Sequence, residues 1–332
     1  MNDKPLLELK NANISLKVDG SLVPITQDIN FKIMPGKILA LVGESGCGKS
    51  VTSLSLLRLL ASQLEISEGE ILFTKDSGET VDIAKLPPKG KEIQSIRGGE
   101  ISMIFQEPMS SFSPLHTIGS QIVEAIRIHT DVTKREAHDM AVGLLKKVGI
   151  ADAKAAVDRY PGAFSGGMRQ RAMIAKALSC NPRLLVADEP TTALDVTIQA
   201  QILKVMKDLQ TEYGMAIIFI SHNMGVVAQI ADDVAIMYMG RIVERGAVKS
   251  IFKNPKHPYT ISLLNAVPRL GNLEDQKRLV PIEGTVPSLF ERPAGCPFGP
   301  RCKDFMEGKC DTTFPVVANI ELNHEVYCYL YK

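Results

Sequence analysis

A glycine-rich stretch that ends in a lysine and a serine is the strongest chemical signal in this sequence. Residues 43–50 read Gly-Glu-Ser-Gly-Cys-Gly-Lys-Ser and fit the pattern G-x-x-x-x-G-K-S/T. Glycines let consecutive backbone N–H groups point at one centre, and the helix expected to follow adds its positive dipole end. Lys49 would reach the β- and γ-phosphates of a nucleotide and Ser50 would bind Mg²⁺, unless the stretch is a turn that binds nothing. The predicted phosphate-binding residues are Gly43, Glu44, Ser45, Gly46, Cys47, Gly48, Lys49, Ser50 and Val51.

Two adjacent carboxylates follow a continuous apolar run. Residues 184–187 read Leu-Leu-Val-Ala, as expected of a parallel strand buried on both faces, and Asp188 and Glu189 come next. Asp188 is predicted to hold Mg²⁺, directly or through water. Glu189 is predicted to orient and deprotonate a water for attack on the γ-phosphate. The alternative is a solvated acidic turn, which rarely follows a fully apolar strand.

Two further polar residues end apolar runs of the same kind. Gln106 follows the run 101–105, and its amide oxygen could bind a metal or a water at the edge of the sheet. His222 follows the run 216–220, where a hydrogen bond to the γ-phosphate is available. Each residue alone is an ordinary loop residue. Together with the phosphate loop and the two carboxylates, they predict an ATP-hydrolysing site.

A second predicted helix N-terminus also suits a phosphate. Ser165 is a natural N-cap, and Gly166 and Gly167 leave the first N–H groups of the following helix bare. One nucleotide cannot easily engage both this helix and the phosphate loop of the same chain, because a helical segment lies between them. The pattern therefore favours two ends that come from different subunits, against the alternative of a capped helix with a glycine-rich entry.

The elements that must position these residues are a mixed set of strands and helices. Residues 6–33 alternate apolar and polar positions around the turn Asp19-Gly20, which predicts antiparallel strands. Residues 118–150 have helical periodicity, and the polar stretch 81–99 is predicted to be a surface excursion. The chain has 332 residues, 45% of them hydrophobic, and a net charge of +1. This balance does not favour a nucleic-acid partner, and with neither a membrane-spanning run nor a signal peptide we expect a cytosolic protein.

Residues 1 to about 250 resemble the nucleotide-binding subunit of an ATP-binding cassette (ABC) transporter. The matching pieces are the phosphate loop 43–50, Gln106, the signature 164–168, the strand 184–189, the tract 193–195 and His222, all in the family's order. The resemblance implies an α/β P-loop NTPase with a RecA-like core, an antiparallel β-subdomain and an inserted helical subdomain at about 107–172. It also implies that two such subunits sandwich two ATP molecules, that Asp195 and Ser165–Gly167 contribute to nucleotide binding, and that Ser50, Gln106 and Asp188 hold Mg²⁺.

The branch that the sequence resembles most is that of the dipeptide, oligopeptide and nickel importers. The tract 105–114 and the segment 257–260, which reads His-Pro-Tyr-Thr, are similar to that branch, and the signature is similar to the type called the D subunit. Met168 replaces the glutamine common at the end of the signature, and Leu16 lies where many cassettes have an adenine-stacking aromatic.

The branch implies an ATPase that powers peptide import at the cytoplasmic face of the membrane as a peripheral subunit. Its partners would be a paralogous second ATPase, two transmembrane permease subunits and an extracytoplasmic solute-binding protein, with no nucleic acid. The alternatives are import of nickel, a metallophore or another small solute, and more distantly a soluble ABC ATPase that acts on nucleic acid or ribosomes.

Four cysteines are concentrated in a C-terminal extension, residues 251–332, which we expect after a linker near 271–277. They are Cys296, Cys302, Cys310 and Cys328. No pair has the close spacing of a zinc knuckle, so Zn²⁺ is an open but less favoured alternative, as is simple burial of the thiols. Four thiolates can also hold a 4Fe-4S cluster, and the resemblance to the peptide-importer extension implies this cluster at these four positions. We expect the cluster to hold together a segment that is too poor in apolar residues to fold firmly alone.

Overall fold

The computed structural model describes residues 4–106, 111–192, 194–266 and 282–331. Two compact units divide the chain. The first contains the described residues of 1–7, 33–37 and 72–220, and the second contains 8–32, 38–71 and the described residues from 221 onward. The linker predicted near 271–277 lies outside the described residues. Within the described ranges, no helix is both long enough and apolar enough to cross a membrane.

Strands and helices alternate along much of the chain, as is typical of an α/β protein. The strands are β1 (Leu7–Val18), β2 (Ser21–Ile33), β3 (Ile38–Val42), β4 (Leu64–Thr74), β5 (Thr80–Asp82), β6 (Ile101–Ile104), β7 (Leu184–Asp188), β8 (Ala216–Ser221), β9 (Asp233–Tyr238), β10 (Arg241–Ala247), β11 (Ala318–Glu321) and β12 (His324–Val326). The helices are α1 (Lys49–Ser55), α2 (Lys91–Ile96), α3 (Ile118–His129), α4 (Lys134–Lys147), α5 (Ala153–Ala156), α6 (Gly166–Ala177), α7 (Val196–Tyr213), α8 (Met224–Ile230), α9 (Val248–Lys253) and α10 (Pro258–Asn265).

The first unit is built on three parallel strands in the order β8-β7-β6. Every residue of β7 and β8 is buried, which confirms the prediction that their continuous apolar runs are covered on both faces. Ile101 pairs with Leu184 and Leu184 pairs with Ala216, so the three strands end at one edge. Since their carboxyl ends meet there, residues that follow β6 and β7 lie beside each other.

The predicted helical segment is confirmed as α3 and α4, which pack on α6. Thr117 caps α3 by accepting the Ser120 N–H, and Thr133 and Glu136 form a reciprocal capping box at the start of α4. One apolar stripe of each helix is buried, as the 3.6-residue spacing predicts: Ile118, Ile122 and Ile126 on α3, and Ala137, Ala141, Leu144 and Leu145 on α4. These contacts give α6 a fixed support, and α6 is the helix that begins at the signature.

One expectation for the first unit is wrong. The stretch 81–99, predicted to be a surface excursion, contains β5, a 3₁₀ turn at Ile83–Lys85 and α2. Its three isoleucines Ile83, Ile93 and Ile96 are completely buried. Three isoleucines separated by polar residues and two prolines do not produce a clear apolar periodicity. The short buried stripe was therefore not visible in the sequence.

The second unit contains the strand order β11-β12-β10-β9-β3. β3 and β9 are parallel, whereas β9, β10, β12 and β11 pair antiparallel. β1 and β2 are neighbours joined by the two-residue turn Asp19-Gly20, which makes them an antiparallel hairpin as predicted. β3 is buried at every position and leads directly into the phosphate loop.

The C-terminal extension is held by more than its cysteines. β12 pairs with β10 through Glu244 opposite Val326, so the extension continues the sheet of the second unit. Glu244 and His324, both fully buried, are joined by a 2.8 Å hydrogen bond between Oε1 and Nε2. The Glu244 carboxylate also accepts the N–H groups of Lys256 and His257 at 2.8 and 2.9 Å. Strand pairing and a buried carboxylate therefore anchor this segment in addition to whatever the expected cluster contributes.

Candidate functional site: the phosphate loop, the carboxylate pair and the signature helix

The phosphate loop joins buried β3 to α1 in a conformation that only glycine fits at two positions. A Cβ on Gly43 would lie 2.1 Å from the Met237 carbonyl oxygen. Gly48 has φ +99°, in the left-handed region, and a Cβ there would lie 2.7 Å from Cγ2 of Thr26. The spacing of glycines in the motif therefore reflects two close approaches of the loop backbone to its neighbours.

Lys49 closes the loop on itself. Its side chain is buried, and Nζ donates to the carbonyl oxygens of Gly43 at 2.8 Å and Glu44 at 2.9 Å. Cys47 is also buried, and burial raises the pKa of its thiol. The ammonium group thus lies at the centre of the turn, where a phosphate bound to the loop would meet it.

Two residues outside the motif form hydrogen bonds with Glu44 of the loop. The Glu44 N–H donates to the Tyr259 hydroxyl at 3.0 Å, and the Glu44 carboxylate receives Nη1 of Arg301 at 2.7 Å. Sequence reasoning assigned no role to either partner. Tyr259 lies in the segment His-Pro-Tyr-Thr that is similar to the importer branch, and Arg301 directly precedes Cys302, one of the four predicted cluster ligands.

The carboxylate pair lies at the carboxyl edge of the first unit's sheet. Asp188 ends β7 and is 4% exposed. Glu189 follows with φ +47°, a left-handed conformation that is costly for a residue with a side chain. Its N–H donates to the Ile220 carbonyl at 3.0 Å, which holds this strained backbone in place.

Two donors fix the Glu189 side chain. Gln106 Nε2 donates to Glu189 Oε2 at 3.2 Å, and the Thr192 hydroxyl donates to the same oxygen at 2.9 Å. The predicted proximity of Gln106 and Glu189 is thereby confirmed. Thr192 was missed, and its position three residues after Glu189 in a turn was the available signal.

The signature helix begins as predicted. Ser165 is the N-cap of α6, and its hydroxyl accepts the Met168 N–H at 3.3 Å. Ser165 and Gly166 are exposed, while Gly167 approaches Ile198 so closely that a Cβ would lie 3.0 Å from Cγ2. The start of this helix is therefore open to solvent within its own unit. Close packing against Ile198 leaves little room for a side chain at position 167.

A buried glutamine connects the signature helix to the carboxylates. Gln170 on α6 is 1% exposed and donates through Nε2 to the Pro190 carbonyl at 2.5 Å. Pro190 directly follows Glu189. The first unit thus ties the signature helix to the turn that contains the predicted water-activating residue.

Two remaining predicted residues are exposed. Asp195 is the N-cap of α7, and its Oδ1 accepts the Ile198 N–H at 2.9 Å. His222 follows β8 and precedes Asn223, which caps α8. His222 and the phosphate loop belong to the second unit, whereas the residues 106, 165–167, 188, 189 and 195 belong to the first. Leu16, at the usual adenine-stacking position, is half-buried in β1.

The four C-terminal cysteines line one small cavity in the second unit. All four are free thiols. Burial raises the pKa of Cys296 to about 12 and that of Cys302 to about 11, so these thiols are neutral unless a metal displaces their protons. Across residues 4–106, 111–192, 194–266 and 282–331, no group of three or more His, Cys, Asp or Glu side chains has the arrangement of a metal-ion site. The predicted iron–sulfur cluster is therefore not confirmed, and neither is the zinc alternative.

Two family descriptions cover most of the chain. Residues 26–192 match the family described as ABC transporter, and residues 243–310 match the C-terminal region of oligopeptide/dipeptide transporters. A dimeric ATP-binding cassette in a post-hydrolysis state with ADP and phosphate superposes with a TM-score of 0.63 at 24% identity, over 73% of this chain and 98% of that one. A cassette of a Clostridium perfringens ABC transporter complex gives 0.63 at 23% identity, over 79% and 96%. These two structures confirm the predicted P-loop cassette fold.

The chain belongs to the ATPase subunits of the ABC transporter family. It is 49% identical to a peptide import ATP-binding protein of Brucella melitensis over 99% of this chain and 98% of that relative. It is 45% identical to the dipeptide transport ATP-binding protein DppD of Bacillus subtilis, over 98% of this chain and 94% of the relative. The oligopeptide transport ATP-binding protein OppD of Haemophilus influenzae is 46% identical over 90% of each chain.

Proposed function

We propose that this chain is the ATP-hydrolysing subunit of an importer for di- and oligopeptides. The observation that carries the proposal is the 45% to 49% identity, over nearly the whole length, to proteins named for peptide import. The subunit binds peripherally to the cytoplasmic face of the membrane through two permease subunits, and an extracytoplasmic solute-binding protein delivers the peptide. The proposed division is a nucleotide-binding domain at 1–250, with its helical subdomain at about 107–172, and an importer extension at 251–332.

The catalytic roles follow from the chemistry of each side chain. The phosphate loop binds the triphosphate, with Lys49 opposite the β- and γ-phosphates, and Ser50, Gln106 and Asp188 supply oxygen ligands for Mg²⁺. Glu189, whose carboxylate is fixed by two hydrogen bonds, orients and deprotonates the attacking water. His222 donates a hydrogen bond to the γ-phosphate as charge develops there.

A mild-detergent pull-down of this protein from its native membranes tests the importer proposal. We expect two polytopic membrane proteins and a second, similar ATPase to be recovered and identified by mass spectrometry. Uptake of labelled di- and oligopeptides into vesicles containing the purified complex then tests the cargo, with nickel and a metallophore as competitors. Recovery of soluble proteins or nucleic acid alone would refute the transport role, and uptake of nickel without peptide would refute the cargo.

The second ATPase is proposed to be a paralogue that forms a heterodimer with this chain. The exposed start of α6 supports this arrangement, since Ser165 and Gly166 leave the N-terminus of the helix open to solvent, where the phosphate of a partner subunit's nucleotide would bind. We expect Ser165→Arg to reduce ATP hydrolysis at the partner subunit's site by about 100-fold, because the signature acts on the partner's ATP. The measurement is turnover of the complex with this chain's own site silenced by Lys49→Ala. Ser77→Arg, on an exposed loop, is the matched control, and equal effects of the two variants would contradict the arrangement.

The cysteine cavity is proposed to hold a 4Fe-4S cluster. A cubane cluster binds four thiolates at four separate iron corners, and the proposal is supported by the four cysteines that line this one cavity. Cys296, Cys302, Cys310 and Cys328 would be the ligands. When bound, the cluster supplies a cross-link among four points of the extension.

Anaerobic purification tests the cluster. We expect about four iron and about four acid-labile sulfide atoms per chain, and loss of both in Cys328→Ser. Cys180→Ser is the matched control because Cys180 lies in the first unit, with its thiol bonded to the Ala125 carbonyl. Protein without iron and sulfide but with one zinc would refute the cluster.

A further inference from the structure

One arginine of the C-terminal extension contacts the phosphate loop. Arg301 donates through Nη1 to Glu44 Oε2 at 2.7 Å and through Nη2 to Glu44 Oε1 at 3.3 Å, a two-point pairing of guanidinium and carboxylate. We infer that Arg301 is a positioning residue for ATP, which neutralises Glu44 and so sets the nucleotide affinity of the phosphate loop. This inference rests on the proposed role of that loop.

The contacts of Arg301 use its full donor capacity. A guanidinium has five N–H donors in a fixed planar arrangement. Besides the Glu44 carboxylate, Nε donates to the Glu283 carbonyl at 3.0 Å, Nη1 to the Tyr238 hydroxyl at 3.2 Å and Nη2 to the Ile282 carbonyl at 3.3 Å. Five contacts therefore match five donors. Arginine is the residue type that presents five donors in a fixed plane, so this set of contacts differs from an incidental surface ion pair.

Burial strengthens the pairing. The Arg301 side chain is 4% exposed and that of Glu44 is 26% exposed. Burial disfavours the charged guanidinium, but the Glu44 carboxylate and the Tyr238 hydroxyl outweigh it and raise the pKa of Arg301. The ring centroids of Tyr238 and Phe298 lie 5.8 and 5.9 Å from the guanidinium carbon, so two aromatic rings flank the cation. The pair is screened from solvent far more than a surface salt bridge.

The pairing matters for binding because Glu44 is an acidic residue inside an anion-binding loop. Its backbone carbonyl already accepts Lys49 Nζ, and its N–H is bonded to the Tyr259 hydroxyl, so its place in the loop is fixed. Without a counterion, the negative charge of a carboxylate held there would repel the triphosphate. Solvent would screen this repulsion only weakly, because the carboxylate is partly buried. Arg301 neutralises that charge, so the positive charge of Lys49 attracts the phosphates without an opposing carboxylate beside it.

The position of Arg301 in the chain links nucleotide binding to the cysteine cavity. Gly299–Arg301 forms a single 3₁₀ turn that ends at Cys302, whose N–H donates to the Gly299 carbonyl at 3.0 Å. Cys302 lines the cavity. Arg301, the counterion of Glu44, and Cys302, which lines the cavity, are therefore adjacent residues of one hydrogen-bonded turn.

A charge-removal experiment on the full chain tests the inference. We expect Arg301→Met to raise the Kd for MgATP about 10-fold or more, with turnover at saturating ATP changed less than about 3-fold. Adding Glu44→Gln to Arg301→Met should restore the Kd to within about 3-fold of the wild type, since the unpaired carboxylate is then absent. A double variant that binds as weakly as Arg301→Met would overturn the inference, because a structural loss would not be repaired by removing a charge.

A second pair of variants covers the case in which Arg301→Met does not fold. Glu44→Asp keeps the charge but shortens its reach to Arg301, whereas Glu44→Gln removes the charge, and both change a partly exposed side chain. We expect Glu44→Asp to weaken MgATP binding about 5-fold or more relative to Glu44→Gln, because only the aspartate variant keeps an unpaired charge in the loop. The reverse order would overturn the inference. Lys303→Met, which breaks an exposed ion pair with Glu283, is the control and should leave the Kd unchanged.

Failure of this inference differs from failure of the proposed function. If Lys49→Ala loses MgATP binding while Arg301→Met binds like the wild type, the loop is the ATP site and Arg301 has no part in it. If Lys49→Ala binds MgATP like the wild type, the proposed function of the loop is itself wrong.

Discussion

Replacement of Glu189 by glutamine should leave MgATP binding intact and reduce turnover by about 10²- to 10⁴-fold, the range of a positioned general base. Glutamine has the same shape, and its amide oxygen can still accept from Gln106 and Thr192, so the strained turn at φ +47° is expected to persist. The amide cannot take a proton from water, however. The loss should therefore appear in kcat and not in the affinity for ATP.

Single-turnover hydrolysis and equilibrium binding of MgATP, measured on the same preparations, separate these two quantities. Glu212→Gln is the matched control, because Glu212 is an exposed acid of the first unit that pairs with Lys147 on the surface. Its turnover should equal that of the wild type. Unchanged turnover in Glu189→Gln would remove Glu189 from the role of base, and lost ATP binding would show that the carboxylate holds nucleotide or metal instead.

Replacement of Lys49 by alanine should weaken MgATP binding by about 100-fold or more. Charge-assisted hydrogen bonds to phosphate are each worth about 1.5–3 kcal/mol, and Lys49 is predicted to make more than one. The change also removes the donor that closes the loop on the carbonyl oxygens of Gly43 and Glu44. Loss of phosphate contacts and loss of loop closure act in the same direction.

Stabilisation by ligand provides the readout. MgATP at about 100 times its Kd should raise the free energy of unfolding of the wild type by about 2.7 kcal/mol, and the same concentration should stabilise Lys49→Ala by only about 0.4 kcal/mol. Lys10→Ala is the control, since Lys10 occupies an exposed position of β1 and pairs there with Glu8. An equal shift in Lys49→Ala and wild type would show that the lysine does not contact the nucleotide.

The residues that we propose as catalytic were accessible from the sequence because they lie at the ends of apolar strands. Gln106 and Glu189 were expected to meet, and their hydrogen bond follows from the parallel pairing of β6 and β7. The left-handed backbone of Glu189 could not be anticipated. Its conformation depends on the Ile220 carbonyl, which is close only after β7 and β8 have paired.

Short buried segments were not accessible in this way. The stretch 81–99 looked polar because Ile83, Ile93 and Ile96 are separated by residues that favour loops, yet all three are completely buried. Periodicity needs several consecutive turns to be visible, and α2 has only six residues. The sequence patterns were reliable where an element was long or wholly apolar.

Local sequence patterns predicted the ATPase class and the cassette fold, both confirmed by the relatives and the solved cassettes, and they predict which residues bind and hydrolyse ATP. These depend on local rules: glycines where the loop approaches its neighbours, a cap before an exposed helix start, and polar residues at strand ends. Only the tertiary structure decided that Arg301 and Tyr259 hold Glu44, and that His324 and β12 fasten the extension to β10. The physical reason is sequence distance. Arg301 and Glu44 are 257 positions apart, and no local pattern records a pairing that forms only when the chain has folded.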